Sequence, residues 1–97
     1  MYSIEFTPQS IGDLKSFKKK DQKAIVEGIE SQLSLEPATE TRNRKKLRPN
    51  AVAEWEIRIG RFRVFYNVIE EAKSVSVESI GFKIGNLLFV RGQRTDL

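Results

Sequence analysis

The sequence predicts an α+β fold: an N-terminal strand, a helical hairpin, then three or four antiparallel strands with the helices packed on one face. Three features carry this prediction. Apolar residues alternate over Tyr2, Ile4 and Phe6, then recur at helical spacing, then return to strict alternation from Trp55 to Val68 around a glycine turn. Ninety-seven residues is one-domain length, so residues 1–97 are expected to share one core.

The elements follow in order. Tyr2, Ile4 and Phe6 give the first strand. Thr7-Pro8 reads as an N-cap with proline at the first helical position. Ile11, Leu14 and Phe17 then mark a short helix ending near Lys18-Lys19-Lys20, where cations suit the negative end of the helix dipole. Asp21 is the expected N-cap of a second helix carrying Ala24, Ile25, Gly28, Ile29, Gln32 and Leu33, with Gly28 marking a close helix–helix approach. Glu36 to Asn50 reads as a polar connection. Gly60-Arg61 suits a type II′ hairpin turn, which pairs Ile59 with Phe62, Arg58 with Arg63, Ile57 with Val64, Glu56 with Phe65 and Trp55 with Tyr66. Every second pair is apolar, so turn chemistry and pattern agree. Glu70–Lys73 is the next turn, a strand through Val75 and Val77 ends at Gly81, and Gly85-Asn86 leads into Leu87–Val90.

Composition limits the chemistry. With neither histidine nor cysteine there is no Ser-His or Cys-His nucleophile, no disulfide and no Cys/His metal site, and no cofactor is called for. No apolar run is long enough for a bilayer and Met1–Phe6 has no signal-peptide core, so a soluble cytoplasmic protein without a membrane partner is expected. The net charge of +4 is concentrated. Eight of the cations lie between Arg42 and Arg63, against only Glu54 and Glu56, and this tilts the prior toward a polyanionic partner.

Arg58 opposite Arg63 is the informative pair. Like charges directly opposed across a strand pair cost up to about 1 kcal/mol, and such local conflicts gather at functional sites. Two guanidiniums side by side, with Arg61 at the turn and the run of Arg42, Arg44, Lys45, Lys46 and Arg48 entering beside them, suit a phosphate backbone. A solvated basic face is the bland alternative, with Glu56 merely tempering the repulsion. Trp55 and Tyr66 read as core. Phe65 falls on the charged face, a candidate for stacking on a base.

Leu47-Arg48-Pro49, the hairpin Trp55-Glu56-Ile57-Arg58-Ile59 through Phe62-Arg63-Val64-Phe65-Tyr66, and the strand end Ile80-Gly81-Phe82-Lys83 together resemble the RelE/ParE toxin superfamily. The resemblance covers nearly the whole chain and implies the toxin half of a type II toxin–antitoxin pair, bound by a cognate antitoxin. Its RelE-like branch implies a ribosome-dependent mRNA endoribonuclease in which the substrate's 2′-hydroxyl attacks the scissile phosphate without metal. Arg58, Arg63 and Lys83 would then match basic active-site positions, with Glu56, where the family has a lysine, as a possible base. Phe89 falls near the family's C-terminal tyrosine, so that hydroxyl is missing. The ParE-like branch implies instead a non-enzymatic inhibitor of DNA gyrase, and a degenerate toxin that only binds its antitoxin is a third reading.

Overall fold

The computed structural model describes residues 1–97. In chain order these form β1 (Ser3–Phe6), α1 (Pro8–Lys15), α2 (Lys19–Leu33), β2 (Arg44–Lys46), β3 (Trp55–Ile59), β4 (Phe62–Ile69), β5 (Ser74–Ile84), β6 (Leu87–Val90) and β7 (Gln93–Thr95). The strands make one sheet in the order β2-β3-β4-β5-β6-β7, with β1 added in parallel to β5. Because β4 pairs along one edge of β5, β1 and β6 share the other, at Ser74–Val77 and Phe82–Ile84 respectively. The α+β architecture is as the sequence predicts, but the sheet has seven strands. The two unforeseen ones, β2 and β7, are short, polar edge strands that lack apolar alternation.

Thr7 caps α1 as expected, its hydroxyl accepting from Ser10 N–H at 3.1 Å, with Pro8 in the first turn. The buried face differs. Ser10 and Asp13 point inward and Ile11 is exposed, because Asp13 finds partners inside, described below. The second helix starts earlier than predicted. Lys18 is its N-cap, Lys19 and Lys20 open it, and Asp21 stands in its first turn, where a carboxylate suits the positive helix end. The lysine run therefore belongs to the start of α2, not to the end of α1. Gln22 reaches back to Phe17 O at 2.8 Å and tightens the turn between the helices. Gly28 does mark a close approach, but to the sheet: a Cβ there would stand 2.7 Å from Ile59 Cδ1.

The β3–β4 register is the predicted one at all five pairs. Gly60 has φ +59 and Arg61 is not in the left-handed region, as a type II′ turn requires. The main core lies between the helices and the sheet, with Ile25, Ile29 and Leu33 against Trp55, Ile57, Val64, Tyr66, Val75, Val77 and Ile80. Trp55 stacks on Tyr66, whose hydroxyl donates to Pro37 O at 2.6 Å. An irregularity beside Phe65 leaves Glu78 unpaired on β5, which brings both Val77 and Ile80 to the core side.

The opposite sheet face is only partly open. Ala53, Phe65, Leu88 and Val90 form a second, smaller core, covered by Leu47, Val52 and Leu97. Phe65 is fully buried in it, so it cannot stack on a base. The apolar run Leu87–Val90 turns one face of its strand into this cluster.

Candidate anion-binding site

Beside this second core the sheet carries a wholly polar recess of about 220 Å³, lined by Arg42, Asn43, Arg44, Lys45, Glu56, Arg58, Arg63 and Lys83. Pleat alternation assembles it. Arg58 and Arg63 are opposite each other on β3 and β4, and Glu56, two residues before Arg58, shares its face and pairs with Lys45 of β2. Lys83 arrives from β5, its backbone N–H donating to Arg61 O at 2.8 Å. Arg42 and Asn43 form the tip of a tight turn in which Thr41 and Arg44 exchange backbone hydrogen bonds of 2.8 and 3.3 Å. The turn is pinned to the hairpin by Arg58 N–H donating to Asn43 O at 2.8 Å.

The two arginines differ in environment. Arg58 is exposed, whereas Arg63 is buried, its Nη1 donating to Gly60 O and Phe62 O at 2.9 Å each while Nε has no partner. Burial, and then the Arg58 charge, hold the Arg63 guanidinium below the ordinary arginine pKa, with Glu56 pulling the other way. The ion pairs of this protein are Arg61–Asp21, Lys73–Glu70 and Arg91–Asp13. None neutralises a side chain of the recess. Glu56 is itself largely buried and has no cation within 4.0 Å in an ion pair. Such a site favours an incoming anion, whose oxygens would accept from several donors at once. Nowhere do three or more carboxylates gather as metal ligands would.

Other predicted positions direct their side chains elsewhere, Arg44 among them although it borders the recess. Arg44 is opposite Ile57, on the helix-facing side, and its guanidinium donates to Thr39 O at 3.0 Å and Gln32 O at 2.9 Å. It braces the Arg42–Asn43 turn, a structural role in place of the expected phosphate contact. Arg61 also leaves the site: its guanidinium lies 4.6 Å above the Phe62 ring and 5.5 Å from that of Phe82, 3.6 Å from Asp21 at the start of α2. Lys46 and Arg48 line a different open recess, of about 680 Å³, with Glu54 and Asn67. Phe89 stacks on Phe82, which packs edge-on against Phe17, so this position faces the helices and brings nothing to the cationic recess. Sequence reasoning missed Asn43 as a lining residue and placed Arg42 only within the basic run. Arg42 was visible as a cation, but its turn leaves no pattern. It also missed Asp13, whose buried carboxylate accepts from Ile80 N–H at 3.0 Å and from Arg91 Nη1 at 2.9 Å.

Comparison with known proteins agrees with this architecture. Residues 4–81 match the family described as ParE toxin of type II toxin–antitoxin system, parDE. The toxin–antitoxin complex RelBE2 of Mycobacterium tuberculosis contains a chain 27% identical to this one, with a TM-score of 0.73 over 84% of this chain and 98% of that one. Two further complexes share the fold. The archaeal RelE–RelB complex of Pyrococcus horikoshii gives a TM-score of 0.64 at 22% identity, over 81% of this chain and 91% of its counterpart. The intact E. coli RelBE complex gives 0.56 at 19% identity, over 87% and 99%. Among curated protein sequences there is no significant match. With most of its length matched, the chain belongs to the ParE toxin family within the RelE/ParE superfamily, and is a toxin of a type II toxin–antitoxin system.

Proposed function

We propose that this toxin is a ribosome-dependent mRNA endoribonuclease that cleaves without metal. The observation that carries the reading is the polar recess in which Arg58, Arg63, Lys83 and Lys45 converge around Glu56 without ion-pair partners. In this reading the substrate's 2′-hydroxyl oxygen bonds to phosphorus and its proton passes to Glu56. A 2′,3′-cyclic phosphate forms as the bond to the 5′-oxygen breaks, and Lys83 supplies the proton to that oxygen. Arg58 and Arg63 stabilise the charge that builds on the pentavalent phosphorus, a contribution that positioned donors make without reorganising during the step. Before use, the recess is covered by an antitoxin, and the reaction belongs in the cytoplasm, where translating ribosomes are. Support for an antitoxin comes from the three similar structures, each a complex of that kind.

Inducing the toxin without its antitoxin tests the reading: growth should stop, with transcripts cut within translated regions. Arg58→Ala and Arg63→Ala should abolish both effects. Toxicity retained in both variants refutes the site. A second reading, inhibition of DNA gyrase, draws on the match to the ParE pattern and on the absence of Ser, Thr, Tyr or His side chains from the recess. It predicts stabilised gyrase–DNA cleavage complexes and uncut transcripts, which separates the two.

A further inference from the structure

Next to the small cationic recess lies a larger open one of about 620 Å³, lined by Gln32, Arg42, Asn43, Arg58, Ile59 and Gly60. The two share Arg42, Asn43 and Arg58, so they are consecutive chambers with one cationic sill. Their chemistry differs. The small chamber has no apolar lining and a size suited to a phosphate group. The large one has no carboxylate, an apolar side chain in Ile59, an open place at Gly60, and a volume in the range of small-molecule sites. The side-chain amides of Gln32 and Asn43 make no hydrogen bond within the protein, and each can both donate and accept. Such groups read the edges of bases.

The geometry points to a second nucleotide subsite here, which takes the nucleoside next to the phosphate held by Arg58, Arg63 and Lys83. Arg42 grips the following phosphate. The inference rests on the ribonuclease reading and extends it to residues outside the hairpin. The chamber wall is rigid before any ligand arrives. The Arg42–Asn43 tip is held by the paired backbone bonds of Thr41 and Arg44, by Arg58 N–H on Asn43 O, and by the Arg44 guanidinium on Thr39 O and Gln32 O. Burying Arg44 gives Arg42 and Asn43 fixed positions, and fixed donors lose little freedom when they bind.

The test uses the full chain and two uncleavable probes, 2′-O-methyladenosine 3′-monophosphate, which fills only the phosphate chamber and its 5′ side, and a 3′-phosphorylated diadenosine with a 2′-O-methyl group at the attacking sugar. Affinities are measured across a salt series. Wild type should bind the dinucleotide at least about tenfold more tightly than the monophosphate. Asn43→Ala and Gln32→Ala should shrink this gap, and Gln32→Ala, which lies outside the phosphate recess, should leave the monophosphate affinity alone. Arg42→Ala should lower dinucleotide affinity and reduce the salt slope by about 0.7, the share of one phosphate contact on a single strand, and Arg42→Lys should restore the slope. A merely structural Arg42 would leave the slope unchanged. Equal binding of the two probes by wild type, or variants with an unchanged gap and slope, overturns the subsite alone. If Arg58→Ala changes neither binding of the monophosphate nor toxicity, the ribonuclease site itself fails and the subsite fails with it.

Discussion

Asp13 is the residue whose removal should cost this fold most for its size. Its carboxylate is almost wholly buried, with Oδ2 accepting from Ile80 N–H at 3.0 Å and both oxygens within 3.0 Å of Arg91 Nη1. Ile80 lies on the stretch of β5 between the parts paired to β1 and β6, so no strand can satisfy that N–H. In Asp13→Ala a buried donor is stranded, at about 1–3 kcal/mol. The Arg91 side chain is half exposed, so its lost ion pair is screened and adds only about 0.5–1 kcal/mol. Alanine's better helix propensity returns about 0.5 kcal/mol. The net loss is about 1–3 kcal/mol, a fall in Tm of roughly 5–20 °C for a domain of this size. Urea and thermal melts of the two proteins measure it. Asp13→Asn keeps an acceptor for Ile80 and should lose markedly less, whereas Arg91→Ala should lose least if water replaces the guanidinium. The reasoning is wrong if Asp13→Ala melts within a degree or two of wild type, or if Asp13→Asn is as damaging as alanine.

Three further outcomes follow from the same geometry. Glu56→Gln should slow cleavage by about 10²-fold or more, with RNA affinity unchanged or tighter, as expected for loss of a proton acceptor among cations; unimpaired cleavage assigns Glu56 to charge balance only. Gly81→Ala should destabilise by about 1–3 kcal/mol, because the new Cβ would meet the backbone oxygen of Phe89 and the strand must shift; a denaturation midpoint equal to wild type contradicts the packing. Burial raises the Tyr66 pKa far above the ordinary tyrosine range, with Arg44 pulling it down less strongly. As the folded state holds the neutral phenol, the stability it contributes is complete below about pH 10 and is lost as pH climbs from there toward the folded value. Urea midpoints should therefore fall more steeply above about pH 10 in wild type than in Tyr66→Phe; parallel curves refute the assignment.

What the sequence disclosed, and what it hid, has a physical pattern. The β3–β4 register was readable because two independent signals, glycine-first turn chemistry and the two-residue alternation, agreed on one pairing. Arg58, Arg63, Glu56 and Lys83 followed from that register and from strand parity. The β2 strand was hidden because Arg44-Lys45-Lys46 is uniformly cationic, and without its pairing nothing showed that Arg44 faces the helices while Lys45 faces the recess. Phe65 was misplaced through an assumption that only one sheet face is buried. The continuous run Leu87-Leu88-Phe89-Val90 signals burial on both faces, and Leu47 and Val52 supply the cover. Asp13 was illegible in principle, since a lone carboxylate in a short helix has no periodic signature.

The distribution of charge pairing argues that the recess is built for an external anion. Three exposed cations have a carboxylate beside them: Asp21 by Arg61, Asp13 by Arg91, Glu70 by Lys73. Arg63 receives none, although it is more buried than any of those three cations and faces Arg58 across the ribbon. A change as small as a carboxylate at the glycine opposite Arg63, Gly81, would relieve that repulsion in charge terms, but the Phe89 backbone leaves no room for a side chain. Packing thus keeps the two guanidiniums without a fixed carboxylate partner, and the burial of Arg63 strengthens its field by excluding water. An anion that binds the folded chain and not the unfolded one recovers part of this cost as added stability.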